Sequence, residues 1–285
     1  LKVGLIGLGA MGLPIAGHLA RAGLLAAVWN RSRDKAVAAA REFGVAAPAT
    51  LAELAPACRL IALCVPADAD VLELTRAIAV HARAGTIVID HSTVSSVTAQ
   101  SAQAILAAAG CAFLDAPVSG GVEGARSGKL SVMVGGDEDV LVRARPALDC
   151  YAAKVSHMGA TGAGQNSKAV NQVLVAGIAQ AVCEGLALSE RLGLDPARLL
   201  PTLGAGAAGN WFLDKRGATM LRDEFRVGFK LALLHKDLEI VRDLALAAGT
   251  DRSVIEKSLA DCALLLAQGH GDEDISALIR LKRNR

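Results

Sequence analysis

The sequence predicts an α/β protein, with a doubly wound, mostly parallel sheet in residues 1–160 and an all-helical region in residues 161–285. Three observations carry this reading. Short β-rich apolar runs alternate with helical stretches through the first half, the β pattern stops near residue 160, and a glycine-rich run, 159-GATGAG-164, marks the change. Near-continuous apolar strands separated by helices suit a parallel sheet covered on both faces, because neither face meets water. A chain of 285 residues is also long for one core, so two domains, or one domain with a large extension, are expected.

Strands are read at 2-KVGLI-6, 25-LAAVW-29, 59-RLIALCV-65, 86-TIVID-90, 112-AFLDA-116 and 130-LSVMV-134. Helices fall between them at 11–22, 34–42, 68–80, 95–109 and 137–149. The uncharged run 3-VGLIGLGAMGLPIAGHL-19 could pass for a signal peptide or a membrane span. Its glycines, Pro14 and the α/β alternation that follows make it folded structure instead. Beyond residue 160, long alanine- and leucine-rich amphipathic runs are punctuated by Gly193, the run 204–209 and Gly249. Asp195 before Pro196 is a helix start, a capping side chain followed by a proline at the first helical position.

The composition is 53% hydrophobic but 3% aromatic, which favours close-packed helices over an all-β sandwich. The net charge is +2 and the one basic run is 280-RLKRNR-285, so no nucleic-acid or membrane partner is expected and an anionic partner should be small. Six cysteines are scattered without a CxxC pair, the pattern of reduced thiols in a cytoplasmic protein. The histidines form no HExxH motif, and 271-GDED-274 lacks the alternating acids of a calcium loop. No metal is expected, and the acidic tetrad reads as a solvated helix start.

The run 7-GLGAMG-12, comprising Gly7, Leu8, Gly9, Ala10, Met11 and Gly12, fits GxGxxG. It follows a strand and opens a helix, in a βαβ unit whose second strand ends at Trp29. There the glycines supply a tight turn, backbone access to a pyrophosphate and close helix packing, with the pyrophosphate at the helix N-terminus. The acid that usually meets a ribose 2′-hydroxyl about 20 residues on is replaced by 29-WNRS-32. Asn30 and Ser32 can hydrogen-bond a ribose or phosphate, and the planar fork of Arg31 can pair with a 2′-phosphate. NADP is therefore the preferred cofactor, with NAD as the alternative. A solvated Arg31 and an Asn30 that merely ends the strand would look the same. Ligands of such sheets lie beyond the carboxyl ends of the strands, which adds Val65 and Pro66 in 64-CVP-66 and Thr93 in 90-DHST-93.

In 115-DAPVSGG-121, the hydroxyl of Ser119 and the N–H groups of Gly120 and Gly121 would make a carboxylate cradle, although SGG by itself is equally a structural turn. In 162-GAGQNSKAVNQ-172, Gln165, Lys168 and Asn171 or Gln172 share one side of a helix. Lys168 runs into the apolar stretch 173-VLVAGIAQAV-182, where partial burial would suit an ammonium to proton transfer. The residues alone also allow a snorkelling surface lysine, and the same holds for Lys236 in 235-HKDL-238. Trp211, Phe212 and Phe229 could shape a substrate tail or simply pack.

Taken in order, 4-GLIGLGAMG-12, 90-DHST-93, 115-DAPVSGG-121, 162-GAGQNSKAVNQ-172, 229-FKLALLHKDL-238 and 271-GDEDISAL-278 resemble the β-hydroxyacid dehydrogenase family, whose members include 3-hydroxyisobutyrate dehydrogenase and tartronate semialdehyde reductase. The resemblance spans nearly the whole chain. It implies an N-terminal Rossmann domain, a helical C-terminal domain entered by a long helix, and a homodimer or homotetramer formed through the helical domains. It implies Lys168 as the catalytic lysine, Asn171 as the residue that orients substrate, Ser119, Gly120 and Gly121 as the carboxylate-binding segment, Thr93 beside the nicotinamide, and Lys236 near cofactor and substrate. Asn30, Arg31 and Ser32 match NADP-preferring members.

The implied reaction moves a hydride between NADP(H) and a small 3-hydroxy carboxylic acid or its semialdehyde, with Lys168 as general acid and base. A 4-hydroxybutyrate or succinic semialdehyde substrate and a non-catalytic NADP-binding module are the alternatives. A decarboxylating phosphogluconate-type dehydrogenase would need a much longer helical region, and imine reductases generally lack a lysine at the position of Lys168.

Overall fold

The computed structural model describes residues 1–283; Asn284 and Arg285 of the basic tail lie outside the described residues. The chain divides into two compact units, Leu1–Lys168 and Ala169–Arg285.

The first unit alternates strands and helices: β1 (Val3–Ile6), α1 (Gly12–Arg21), β2 (Leu25–Trp29), α2 (Arg33–Phe43), α3 (Leu51–Leu54), β3 (Leu60–Leu63), α4 (Asp68–His81), β4 (Ile87–Asp90) and α5 (Ser96–Ala108). It continues through β5 (Ala112–Asp115), β6 (Val118–Ser119), α6 (Gly121–Ser127), β7 (Leu130–Gly136), α7 (Glu138–Leu148) and β8 (Ala152–Gly159). The sheet order is β2-β1-β3-β4-β5-β7-β6, with β8 paired to β7. The first five strands in that order are parallel, whereas β7 runs antiparallel to β5 and β6.

Every residue of β1, β3 and β4 is buried, and alternate side chains serve opposite faces. Leu5, Ala62 and Ile89 join one core with Ile15 and Leu19 of α1 and Leu141 of α7. Ile6, Ile61 and Val88 join another with Val71 and Ile78 of α4 and Leu106 of α5. This is the doubly wound, Rossmann-type arrangement expected from the continuous apolar runs. Two strands were not legible in the sequence. The strand β8 is a mostly half-exposed or exposed partner of β7 carrying Lys154, Ser156 and His157, so it lacks an apolar run, and β6 is two residues long.

The helix α8 (Ala163–Arg191) spans the division between the units. The second unit continues with α9 (Pro196–Ala205), α10 (Trp211–Leu221), α11 (Leu231–Ala248), α12 (Ser253–Ala267), a 3-10 turn over Ile275–Leu278, and α13 (Ile279–Arg283). Its core joins Ala176, Ala179, Cys183 and Leu186 of α8 to Leu234 and Leu238 of α11 and Leu259 and Cys262 of α12. The Asp195 carboxylate accepts the Ala197 N–H at 2.9 Å, so the helix start at Asp195-Pro196 forms as its chemistry dictates.

Among the described residues α8 is the one helix long and apolar enough to cross a membrane by length and composition. Its apolarity has two destinations: the face just named packs in the core, while Val170, Leu174, Ile178 and Leu188 are exposed. Phe212 is buried in the same core and Phe229 packs against it, whereas Trp211 is 50% exposed with the Arg216 guanidinium 5.4 Å from its ring centroid.

The acidic tetrad 271–274 is not uniformly solvated. Asp274 is 1% exposed and caps the 3-10 turn, accepting the N–H of Ser276 at 3.1 Å and those of Gly228 and Phe229 at 2.8 and 3.0 Å, with Arg216 at 3.3 Å. Its negative charge is used internally, which a run of acids in a sequence does not reveal.

Candidate functional site

The glycine loop between β1 and α1 is shaped by contacts that exclude larger residues. Gly7 has φ +96°, and a Cβ there would run into the carbonyl oxygen of Cys64; a Cβ on Gly12 would strike the carbonyl of Gly7. A Cβ on Gly9 would meet no atom within 4 Å, so its backbone is open to a ligand. The loop lines a cavity of about 320 Å³ that brings together Gly7, Leu8, Gly9, Asn30, Arg31, Ser32, Val65 and Pro66. Ala10, Met11, Gly12 and Thr93 are not part of that lining. Met11 packs against the core and Gly12 is the first residue of α1, so these positions serve the loop through its backbone.

Asn30 accepts the Leu8 N–H at 2.9 Å and donates to the Ser32 carbonyl at 3.3 Å, bracing the end of β2 against the glycine loop. The Arg31 side chain is 85% exposed and pairs with Asp70 at 3.4 Å. Such a surface pair is weak, so a stronger anion can take the guanidinium. Lys35, Asp70 and Glu73 also line the cavity and were missed in the sequence reading. Lys35 lies three residues past Ser32 in the first turn of α2, a spacing that could have drawn attention to it; the acids come from α4, whose approach only the fold sets.

The ends of β3, β4 and β5 are tied by buried polar groups. Ser92 Oγ accepts the Val65 N–H at 3.0 Å, and Asp90 Oδ1 accepts the Ser92 N–H at 2.9 Å. Asp90 is fully buried and its Oδ2 has no hydrogen-bond partner. Burial pushes its carboxyl up to about 7, Ser92 opposes the rise, and the neighbouring carboxylates Asp115 and Asp68 add to it. Next to it, His91 donates from Nδ1 to the Ala116 carbonyl at 2.7 Å and accepts the Tyr151 hydroxyl at Nε2, 2.8 Å away. Burial lowers His91 to about 4, which keeps this neutral tautomer in place at the start of the 116–121 segment.

That segment carries Ser119, Gly120 and Gly121, the residues expected to form an anion cradle. Ser119 lies in β6 opposite Ser131, and Gly120 and Gly121 adopt φ +127° and +62°, which side chains rarely tolerate. Lys168 is 8% exposed, and its Nζ donates to the Val118 carbonyl at 2.9 Å, so a buried ammonium lies against the backbone one residue before Ser119. Of the two readings open for this lysine, the surface one does not hold.

Asp115, which sequence reasoning did not single out, sets where Lys168 starts from. Its fully buried carboxylate accepts the N–H groups of Gly162 at 2.8 Å and Gln165 at 2.9 Å, at the beginning of α8. Burial raises its pKa, while these backbone donors lower it. The Gln165 side chain donates to the Ser92 carbonyl at 2.8 Å and accepts the Val94 N–H at 3.2 Å, fastening the same helix start to the two neighbours of Thr93. The DAPVSGG spelling contains the signal, since an acid at a strand end facing a glycine-rich helix start is a capping candidate.

Within the second unit, Asn171 Nδ2 donates to Gln172 Oε1 at 2.8 Å, Gln172 Nε2 donates to Asp237 Oδ2 at 2.7 Å, and Lys236 Nζ lies 2.9 Å from Asp237 Oδ1. Asn171 and Lys236, two of the expected site residues, therefore belong to one polar chain.

Comparison with known proteins agrees with this architecture. A family model described as the NAD binding domain of 6-phosphogluconate dehydrogenase matches residues 2–159, and one described as the NAD-binding domain of NADP-dependent 3-hydroxyisobutyrate dehydrogenase matches residues 162–282. The chain is 34% identical to a probable 3-hydroxyisobutyrate dehydrogenase of Mycobacterium tuberculosis, over 99% of this chain and 98% of the relative. It is 33% identical to the 2-hydroxy-3-oxopropionate reductase of Escherichia coli, over 98% and 96%. A solved structure of the Mycobacterium tuberculosis 3-hydroxyisobutyrate dehydrogenase with L-serine superposes with a TM-score of 0.88 at 33% identity, covering 99% of both chains. A two-part match along its full length makes this chain a member of the β-hydroxyacid dehydrogenase family of NAD(P)-dependent oxidoreductases.

Proposed function

We propose that the protein transfers a hydride between NADP(H) and a small 3-hydroxy carboxylic acid or its semialdehyde, with Lys168 as general acid and base. The observation that carries this is the buried Lys168 ammonium, held 2.9 Å from the Val118 carbonyl beside the Ser119-Gly120-Gly121 turn. A bound nicotinamide supplies the hydride acceptor or donor. In oxidation Lys168, as the neutral amine, takes the hydroxyl proton while the carbonyl forms; in reduction the resulting ammonium returns that proton, its charge stabilising the developing alkoxide. The Ser119 hydroxyl and the amides of Gly120 and Gly121 hold the substrate carboxylate, Asn171 orients the hydroxyl-bearing carbon, and Lys236 serves cofactor and substrate.

Support for NADP over NAD comes from Arg31, Ser32 and Lys35 on the wall of the nucleotide cavity, two cations and a hydroxyl suited to a 2′-phosphate. The open backbone at Gly9 fits a pyrophosphate, with Val65 and Pro66 lining the cavity. Thr93 is assigned beside the nicotinamide on the family resemblance alone. We further propose a homodimer or homotetramer built through the helical unit. Val170, Leu174, Ile178 and Leu188 form an exposed apolar stripe at helical spacing, beside a groove of about 620 Å³ lined by Gly177, Ala181 and Gly185 of α8 and Val254 of α12. The six free thiols fit a cytoplasmic setting.

The test is a panel of 3-hydroxyisobutyrate, 3-hydroxypropionate, glycerate, 4-hydroxybutyrate and their semialdehydes, each assayed with both cofactors. Turnover of at least one pair is expected, and Lys168→Ala should abolish it while NADPH still binds. Binding without turnover on the whole panel would mark a non-catalytic NADP-binding module, and a near-normal rate for Lys168→Ala would remove the lysine from the mechanism.

A further inference from the structure

The wall of the nucleotide cavity carries acids as well as bases. Arg31 follows β2 and Lys35 lies in the first turn of α2, while Asp70 and Glu73 reach the same cavity from α4. Asp70, Glu73 and Leu74 stand at helical spacings of three and four, so one face of α4 meets the cavity. An acid in the first turn of a helix is ordinary because the helix dipole favours it, and Asp68 and Asp70 both sit there. Glu73 lies beyond that turn and is exposed, so the dipole does not account for it. Asp70 is paired with Arg31 at 3.4 Å, long against about 2.7–2.9 Å for a charge-assisted hydrogen bond, and the two side chains are 22% and 85% exposed. Such a loose pair shapes the field in the cavity more than it holds the fold.

We propose that Asp70 and Glu73 are specificity-determining residues that restrain the preference for NADP and keep NAD usable. This rests on the NADP reading and deepens it. A phosphate monoester carries a charge of about −1.5 to −2 near pH 7, whereas the ribose 2′-hydroxyl of NAD carries none. The pyrophosphate is common to both cofactors, so its repulsion by the acids cancels in the comparison. NADP alone gains from Arg31 and Lys35 through its 2′-phosphate, and NADP alone is opposed there by Asp70 and Glu73. The 2′-phosphate must also draw Arg31 away from Asp70. Two cations set against two carboxylates leave the wall with little net attraction for the extra phosphate.

The proposal predicts a gain of function on removing charge, and a response to ionic strength that a change of packing would not give. Asp70→Asn and Glu73→Gln keep the size of each side chain and remove its charge. Each should favour NADPH and leave NADH nearly untouched. The Debye length is about 10 Å at 0.1 M salt and about 3 Å at 1 M, so a gain that acts through the field fades as salt is added. A gain caused by a shift of α4 would persist.

The experiment titrates the full-length protein and its variants with NADPH and with NADH, following the fluorescence of the reduced nicotinamide, at 0.1 M and 1 M salt. Each single variant should lower the Kd for NADPH by about threefold and the double variant Asp70→Asn/Glu73→Gln by about tenfold, with the Kd for NADH within about twofold of the parent. At 1 M salt the gain should shrink to within about twofold. If Asp70→Asn fails to fold, Glu73→Gln, at an exposed position, carries the test. Folded variants that bind NADPH no tighter than the parent, that tighten NADPH and NADH equally, or that keep their gain at 1 M salt overturn the proposal. Arg31→Ala separates the two readings: if it loses NADPH affinity while the acid variants gain none, the NADP reading stands and the proposal falls. A parent and a double variant that both bind NADH at least as tightly as NADPH overturn both.

Discussion

Asp90→Asn should make the protein more stable at alkaline pH and leave it unchanged in acid. Asp90 is fully buried at the end of β4, one oxygen bonded to the Ser92 N–H and the other without a partner, with the carboxylates of Asp115 and Asp68 raising its pKa further. Its pKa in the folded protein is pushed up to about 7 from an ordinary 3.8. Below 3.8 both folded and unfolded chains carry the proton, and the stability associated with the neutral carboxyl is fully present. Between 3.8 and about 7 the unfolded chain ionises while the folded one holds its proton, so stability falls as pH rises. Above 7 the full penalty of a buried charge is in place. At about 1.4 kcal/mol per pH unit the interval amounts to about 4 kcal/mol. The neutral amide of asparagine resembles the protonated carboxyl and never pays it. The assay is urea unfolding of parent and variant at pH 5 and pH 8. Trp29 in β2 reports on the sheet, and a Trp211→Phe background removes the other tryptophan. The variant's advantage should grow toward alkaline pH; an equal difference at both values would refute the buried-charge account of Asp90.

Further outcomes follow from the same geometry. Arg31→Ala should raise the KM for NADPH about tenfold and spare that for NADH, since an 85% exposed surface pair contributes little to folding; equal effects on both cofactors would discard the 2′-phosphate role. Gly7→Ala, forced into φ +96° against the Cys64 carbonyl, should cost about 1–3 kcal/mol and abolish cofactor-induced thermal stabilisation, and a variant still stabilised by NADPH would show the loop to be more tolerant than its contacts imply. Asp115→Asn leaves one of two backbone donors at the start of α8 facing an amide nitrogen, so it should cost about 2–4 kcal/mol and lower kcat while NADPH affinity is kept; an unchanged melting temperature and rate would exclude Asp115 as the anchor of that helix.

Much of the nucleotide loop was legible because its chemistry is local. The turn at Gly7, the helix start at Gly12 and the missing acid at 29–32 depend on neighbours in sequence, and the cavity brings together Gly7, Leu8, Gly9, Asn30, Arg31 and Ser32 from those motifs. Lys35, Asp70 and Glu73 escaped because α2 and α4 bring their side chains to the cavity. The strand β8 escaped for a different reason: an edge strand with few buried side chains carries no apolar run to betray it.

The sequence by itself determined the fold class and the positions of the main motifs, because hydrophobic periodicity and glycine spacing are written along the chain and act over a few residues. Tertiary structure decided the states of the charged side chains. Whether Lys168 is solvated or buried against Val118, whether Asp274 faces water or caps a turn, and whether Asp115 is a stray acid or the anchor of α8 depend on partners roughly 45 to 60 residues away in the chain. A charge is fixed by its surroundings, through desolvation and the donors that meet it, and those surroundings exist only once the chain has folded.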